Sequence, residues 1–405
     1  MSEAFLQGML YLFIIATMLN PHFQKLKTAY IFPIIEKKLT QLQKEHPNQK
    51  VHNLGVGDVS LPLAPKVAEA ICAAVQEMTL ESRGYGPCGG YDFLKEAICE
   101  NEYAQFGLTA DEIFVSDGAN ADASCIQELF DEKSIVAITD PTYPVYRDAN
   151  LIAGKKLLTI PLSEEEGFIP RPPKERADLV YLCTPCNPTG VALNRKDLEE
   201  WIAWAQANRA ILLIDNVYNI FASSDEIPSS IYALDGAHEV AIEIRSFSKW
   251  AGFTGLRCGY TVIPKTLHLP ELNGLWQKRI DIKTNGISYP IQKGALACFL
   301  PAVKEELSAQ IATYKSSAQI LRDTLHEQNQ IFFGGEHAPY IWWKTPDGMS
   351  SWEFFDSLLQ TSRIIAIPGS SFGSVGEGYV RLSCFLSNPL AQEAAHALHN
   401  HFATV

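Results

Sequence analysis

The chain has 405 residues, 47% of them hydrophobic, with 46 acidic against 33 basic side chains and a formal charge of −13. That length exceeds what one hydrophobic core sustains, so a large unit and a smaller one are expected, and the acidic balance argues against nucleic acid or an anionic membrane surface as a partner. Nine cysteines, an odd number scattered along the sequence, fit a reducing compartment, with the cytoplasm as the expected location.

At the amino end, Leu6 to Leu19 is mostly apolar, yet it lacks a basic flank, follows Glu3 and falls short of the roughly 20 residues a spanning helix needs. An added helix, a membrane-associating tail and an upstream start preceding Met18 all fit this stretch; we favour the last, which makes residues 1–17 an extension. Helical spacing then covers Lys66 to Met78 and recurs from Leu94 to Tyr103. Short apolar runs alternate with helical stretches at Glu112–Ser116, Ser134–Ile138, Leu179–Leu182, Ile211–Ile214 and Val240–Ile244. This is the pattern of an α/β, doubly wound, mostly parallel sheet. The amphipathic stretch Pro301 to Gln328 has the length of a helix bridging two units, and it precedes strand signals at Tyr340–Trp343, Ile364–Ile367 and Tyr379–Leu382. The expected division is 61–300 for the large unit, with 18–60 and 301–405 forming a smaller α+β unit.

Chemistry concentrates in the run Ser246-Phe247-Ser248-Lys249, which leads through Gly252 and Gly255 to Arg257. It places an amine eight positions before a guanidinium on a frame of small residues. That suits pyridoxal phosphate (PLP): the amine can condense with an aldehyde, while two serine hydroxyls and an arginine hold a phosphate dianion. Upstream, Ala210–Asp215 reads as a buried strand that delivers a carboxylate at its C-terminal edge, where ligands of open α/β sheets bind. A carboxylate there can keep a pyridine nitrogen protonated. Tyr218 and Asn187, the latter in the turn Cys186-Asn187-Pro188-Thr189-Gly190, can reach the ring's phenolic oxygen. Taken singly these signals are weak, since strand-end aspartates often cap helices and Asn-Pro usually marks a turn. Cys183 and Cys186 form a C-x-x-C, but no second pair follows at metal-ligand spacing, so neither a zinc site nor a redox motif is expected. After Ser116, the turn Asp117-Gly118-Ala119-Asn120 hands over to a helix expected to begin near Ala121, where exposed amides attract phosphate. An N-cap by Asp117 or Asn120 is equally compatible with that turn.

Together, in the order Asn187, Asp215, Tyr218, Lys249, Arg257, these segments resemble the fold-type I, PLP-dependent enzymes of the class I/II aminotransferase family. The resemblance implies that Lys249 condenses with the cofactor and shuttles the proton. It implies that Arg257, Ser248 and Ser246 bind the phosphate with the turn at Ala119 and Asn120, and that Tyr143, in Asp140-Pro141-Thr142-Tyr143-Pro144, stacks on the ring. Further segments (Tyr30-Ile31-Phe32, Gly55-Val56-Gly57-Asp58, Arg83-Gly84-Tyr85-Gly86-Pro87, Gly334–Tyr340 and Phe372–Arg381) are similar to one branch of that family. Its members make LL-diaminopimelate from tetrahydrodipicolinate and glutamate. The similarity begins near Asn20-Pro21-His22-Phe23 and runs to the end of the chain. It implies that Arg381 clamps the substrate carboxylate with help from backbone at Gly57, that Tyr30 lines the pocket, and that Tyr85 and Asn285 reach in from the second subunit of a homodimer. Two positions depart from the branch. Cys88 stands where an acidic residue could receive a distal ammonium, and Asn120 stands where a lysine would face the phosphate or a distal carboxylate. An aminotransferase for aspartate, alanine or another amino acid shares every cofactor residue; a PLP lyase uses the same lysine. A PLP-sensing transcription regulator needs a helix-turn-helix module, for which the stretch before Met18 is too short and not basic.

Overall fold

A computed structural model describes residues 19–26 and 31–404. The first 17 residues, Met18 and Tyr30 therefore lie outside the described part. In chain order the strands are β1 (His52–Asn53), β2 (Ile113–Ser116), β3 (Ile135–Asp140), β4 (Lys156–Pro161), β5 (Leu179–Cys183), β6 (Ile211–Asp215), β7 (Ala241–Ser246) and β8 (Gly259–Val262). There follow β9 (Phe332–Gly334), β10 (Tyr340–Lys344), β11 (Ile364–Ile365), β12 (Ile367–Pro368) and β13 (Tyr379–Ser383).

Seven strands form the large sheet in the order β2-β8-β7-β6-β5-β3-β4. Only β8 runs against the others; β3 through β7 pair in parallel. Unbroken apolar runs produce such strands because helices cover both faces. In β5 and β6, Val180, Leu182, Leu212 and Ile214 enter the core on one face, whereas Leu179, Tyr181, Ile211 and Leu213 enter the core on the other. Each side chain so buried contributes about 1.5–3 kcal/mol.

Burial also encloses a carboxylate. Glu243 in β7 is fully buried and accepts from the Tyr103 hydroxyl at 2.5 Å, Asn216 Nδ2 at 2.9 Å, Ser230 Oγ at 3.1 Å and the Ile231 amide at 3.2 Å. Arg245 lies 3.8 Å away. Glu243→Ala would leave these donors without an acceptor and is expected to cost about 3–5 kcal/mol, read as a fall in the urea midpoint at constant slope. A loss under about 1 kcal/mol would show that water replaces the carboxylate.

A second, antiparallel sheet has the order β12-β13-β10-β9, and β1 pairs with β11 in parallel. The helix Pro301–Glu327 starts with proline at its first position, where the missing amide costs no hydrogen bond. Its Val303 and Leu307 pack under the large sheet, Ile311 and Tyr314 pack beside Tyr218, and Ala318, Leu321 and Leu325 pack on the small sheet. The Pro21–Lys25 turn lies against the end of the helix Pro144–Ile152, with Asn20 Nδ2 donating to Ile152 O at 3.3 Å.

Local expectations needed correction in four places. Ile364–Ile367 is two strands rather than one: β11 pairs with β1, then the chain crosses at Ala366 so that Ile367 pairs with Arg381. The Leu94–Tyr103 stretch is an α-helix, Asp92–Ile98, that widens into a π turn over Cys99–Tyr103. The helix after β2 begins at Ala119, and its cap is Gly118, not Asp117 or Asn120. Edge strand β4 and the Gly-led β8 carry weak apolar patterns and were not expected as strands.

Candidate active site

The C-terminal ends of β2, β3, β5, β6 and β7 share one edge of the sheet and bring Ser116, Asp140, Cys183, Asp215 and Ser246 together there. Gly259 of β8 pairs with both Ser116 and Ser246, so the two loops that follow them approach across one residue. A Cβ on Gly259 would lie 2.8 Å from Gly118 Cα and 2.8 Å from Arg245 O, which leaves room only for glycine.

On this frame a polar cradle forms. Ser246 caps the short helix Phe247–Trp250, its Oγ accepting from the Ser248 amide at 3.1 Å and lying 2.9 Å from Ser248 Oγ. Arg257 adopts a left-handed backbone, φ 65°, and anchors Nη1 on Thr254 O at 3.0 Å. Gly118 has φ 126°, and a Cβ there would stand 2.7 Å from Arg257 Nη2. The guanidinium thus rests over the turn that leads into Ala119 and Asn120. A residue not anticipated from sequence supports this turn: buried Asp122 accepts from Ser116 Oγ at 2.6 Å and Thr261 Oγ1 at 2.8 Å. Burial pushes its carboxyl up to about 7 against the pull of those two hydroxyls. Asn120 Oδ1 accepts from the Tyr143 hydroxyl at 3.0 Å, so the amide standing in for the branch's lysine tethers the tyrosine expected over the ring.

At the other end of the site stands Asp215. Its Oδ2 accepts from Tyr146 at 2.5 Å, while its Oδ1 is buried without a hydrogen-bond partner. Burial raises the carboxyl to about 6, opposed by Tyr146 and the Val217 amide. A buried acceptor left without a donor is costly, and a protonated ring nitrogen would satisfy it. With the cradle of hydroxyls, amides and guanidinium for a phosphate, these donors and acceptors fit the cofactor expected from sequence.

Lys249 follows Ser248 on the short helix Phe247–Trp250. Its Nζ donates to Gly57 O and sits 5.3 Å from the Phe385 ring centre. Burial pulls its amine down to about 8, the Asp58 carboxylate opposing and the Arg381 and Arg257 cations assisting. Beside it, Arg381 is buried, with Nη1 donating to Asn187 Oδ1 at 2.7 Å, Nη2 donating to Gly55 O at 2.6 Å, and Nε unpartnered. Asn187 and Arg381 are therefore one hydrogen-bonded pair. Tyr218 is buried with its hydroxyl 2.9 Å from that of Tyr340, another residue to which no role was given from sequence.

Not every expected residue joins this group. Tyr85 is 86% exposed, and Asn285 is exposed as well. They stand on loops that touch each other: a Cβ on Gly286 would lie 2.7 Å from Pro87 O, and Cys88 Sγ donates to Thr284 O at 3.6 Å. Cys88 thus ties these two loops. The Cys183 thiol donates to Pro185 O at 3.4 Å. Among the described residues no group of three or more His, Cys, Asp or Glu side chains could hold a metal, and no helix is long and apolar enough to cross a membrane.

Comparison with known proteins agrees with this geometry. Proteins named LL-diaminopimelate aminotransferase from Agathobacter rectalis and Parabacteroides distasonis are each 43% identical to the chain, covering 91% of it and 95% of their own length. The solved structure of L,L-diaminopimelate aminotransferase from Chlamydomonas reinhardtii matches with a TM-score of 0.89 at 38% identity, covering 94% of this chain and 98% of that one. The family model for aminotransferase class I and II spans residues 49–398. With that match over most of its length, and with a lysine, a carboxylate and a buried arginine converging at the sheet edge, the chain belongs to the class I and II aminotransferases.

Proposed function

We propose that the chain is a PLP-dependent LL-diaminopimelate aminotransferase, which transfers the amino group of glutamate to tetrahydrodipicolinate. The 43% identity to relatives so named, over 91% of the chain, carries the substrate assignment. The unpartnered Oδ1 of Asp215 opposite the serine–arginine cradle carries the cofactor. When bound, PLP supplies an aldehyde that takes up and returns the amino group and a ring that draws electrons from the substrate α-carbon.

In this reading Ser246, Ser248, Arg257 and the turn at Ala119 and Asn120 bind the phosphate. Asp215 holds a proton on the ring nitrogen, Tyr218 and Asn187 donate to the phenolic oxygen, and Tyr143 covers the ring. Arg381 forks the substrate carboxylate beside Gly57. Lys249 takes the proton from the α-carbon and returns it. An amine titrating near 8 is a competent base close to neutrality, which an ordinary lysine is not. The exposed, adjoining loops of Tyr85 and Asn285 suit delivery of both residues to a partner's site in a homodimer. The unpaired cysteines suit the cytoplasm.

The test is single-turnover decay of the cofactor's absorbance band with LL-diaminopimelate, meso-diaminopimelate, glutamate, aspartate and alanine in separate reactions. Rapid decay with LL-diaminopimelate and glutamate is expected; decay only with aspartate or alanine would make this an aminotransferase of other specificity. Asp215→Asn is expected to lower the rate of that decay about ten- to a hundredfold, the equivalent of one charge-assisted hydrogen bond. A wild-type rate in that variant would remove Asp215 from the ring nitrogen.

A further inference from the structure

Tyr340 opens β10 on the small sheet and is almost completely buried. It touches Tyr218, Arg381 and the backbone at Gly57. Its hydroxyl lies 2.9 Å from the Tyr218 hydroxyl. Its ring stacks under the Arg381 guanidinium, 4.6 Å from ring centre to the central carbon. A Cβ on Gly57 would collide with the same hydroxyl, so the backbone that accepts from Lys249 passes directly against it.

We propose that Tyr340 is a positioning residue for the transamination, acting through Tyr218 on the cofactor's phenolic oxygen and through Arg381 on the substrate carboxylate. The inference rests on the proposed PLP reading. Two hydroxyls at this distance share one proton between them. When Tyr218 donates to the cofactor, Tyr340 must donate to Tyr218, and such a chain polarises each member and strengthens the terminal bond. The ring has a separate effect. Arg381 is held edge-on by Asn187 and Gly55, and an aromatic face beneath a desolvated guanidinium keeps the fork flat and aimed without consuming its donors. No charged group on Tyr340 competes with the substrate carboxylate. One side chain thereby couples the electron sink to the substrate clamp, across the two sheets.

The two effects separate by substitution. Tyr340→Phe keeps the ring and removes the hydroxyl, whereas Tyr340→Leu removes both. In the holoenzyme, Tyr340→Phe is expected to raise the pH midpoint of the cofactor's absorbance titration by roughly a few tenths of a unit, because Tyr218 becomes a poorer donor to the phenolate. It should leave the dissociation constant of glutarate, a carboxylate probe without an amine, within about twofold of wild type. Tyr340→Leu is expected to weaken glutarate about tenfold, so that rescue by phenylalanine assigns the binding effect to the ring. An unmoved or lowered midpoint in Tyr340→Phe, beside a normal wild-type band, overturns the proposal and leaves the proposed function standing. That variant also decides the matter if Tyr340→Leu fails to fold. Unchanged glutarate binding in a folded Tyr340→Leu overturns the arginine half. A wild-type protein with no cofactor band overturns the proposed function and this inference with it.

Discussion

Lys249→Ala is expected to lose turnover by more than about 10⁴-fold, the upper range for a positioned proton-transfer group, while the fold survives. Among the described residues, Lys249 is the lysine whose amine is set against both Gly57 O and the Phe385 ring. Borohydride treatment followed by mass mapping should add a phosphopyridoxyl group, the cofactor less the water lost on condensation plus two hydrogens from reduction, to the wild-type peptide containing Lys249 and to no peptide of the variant. Retained transamination in Lys249→Ala would sink the assignment. A stability measurement on the cofactor-free protein gives an independent check. The folded amine titrates near 8 against an ordinary 10.5, so the folded state binds fewer protons than the unfolded one between those values. The resulting penalty is full below about pH 8 and disappears above about 10.5. Lys249→Met, which keeps the volume, should therefore stabilise the cofactor-free chain at pH 7, with the gain shrinking as the pH approaches 10.5. An equal gain at both ends would show that packing, not charge, is responsible.

Arg381→Lys is expected to lower kcat/KM by about two to three orders of magnitude, mostly through a rise in KM for carboxylate substrates. Losing one partner of a buried, charge-assisted contact costs about 2–5 kcal/mol, and a lysine cannot present the two parallel donors that Arg381 directs toward Asn187 and Gly55. Its ammonium would also lose the flat stacking on Tyr340 and on Phe372, 5.0 Å from the guanidinium carbon. The measurement is steady-state kinetics with glutamate, together with glutarate inhibition. If kcat/KM stayed within about tenfold of wild type, with glutarate inhibiting as before, Arg381 would be a structural arginine and the carboxylate would bind elsewhere.

The two departures from the branch acquire physical roles in the structure. Cys88 donates to Thr284 O and holds together the loops carrying Tyr85 and Asn285. Asn120 tethers Tyr143. Neither supplies the charge that the corresponding acidic and basic residues would carry, so the distal ammonium and carboxylate of a diamino diacid would find their partners on other residues. The single-turnover comparison of LL-diaminopimelate with glutamate reads that loss directly.

Short-range pattern was sufficient wherever the chemistry is local. The run Ser246 to Arg257 contains its own cap, its amine and its guanidinium within one turn and a short loop, so its spacing suggested a PLP cradle, which the flanking motifs and the family resemblance then made specific. The apolar runs Leu179–Leu182 and Ile211–Ile214 announced strands buried on both faces because every position in them is hydrophobic. Ile364–Ile367 announced one strand for the same reason and formed two, since an apolar run records burial but not the partner that buries it. The supporting residues escaped notice on similar grounds. Tyr146 meets Asp215 across 69 positions, Tyr340 meets Tyr218 across 122, and Thr261 meets Asp122 across 139. Nothing in the neighbourhood of a tyrosine or a helix-embedded aspartate marks such a contact. Residue type and near spacing determine which groups can do the chemistry, because capping, periodicity and turn formation act over a few residues. Strand order, register and the packing of the small sheet on the large one decide which distant hydroxyls and carboxylates hold those groups in place, because only in the folded chain do these side chains share the same few ångströms.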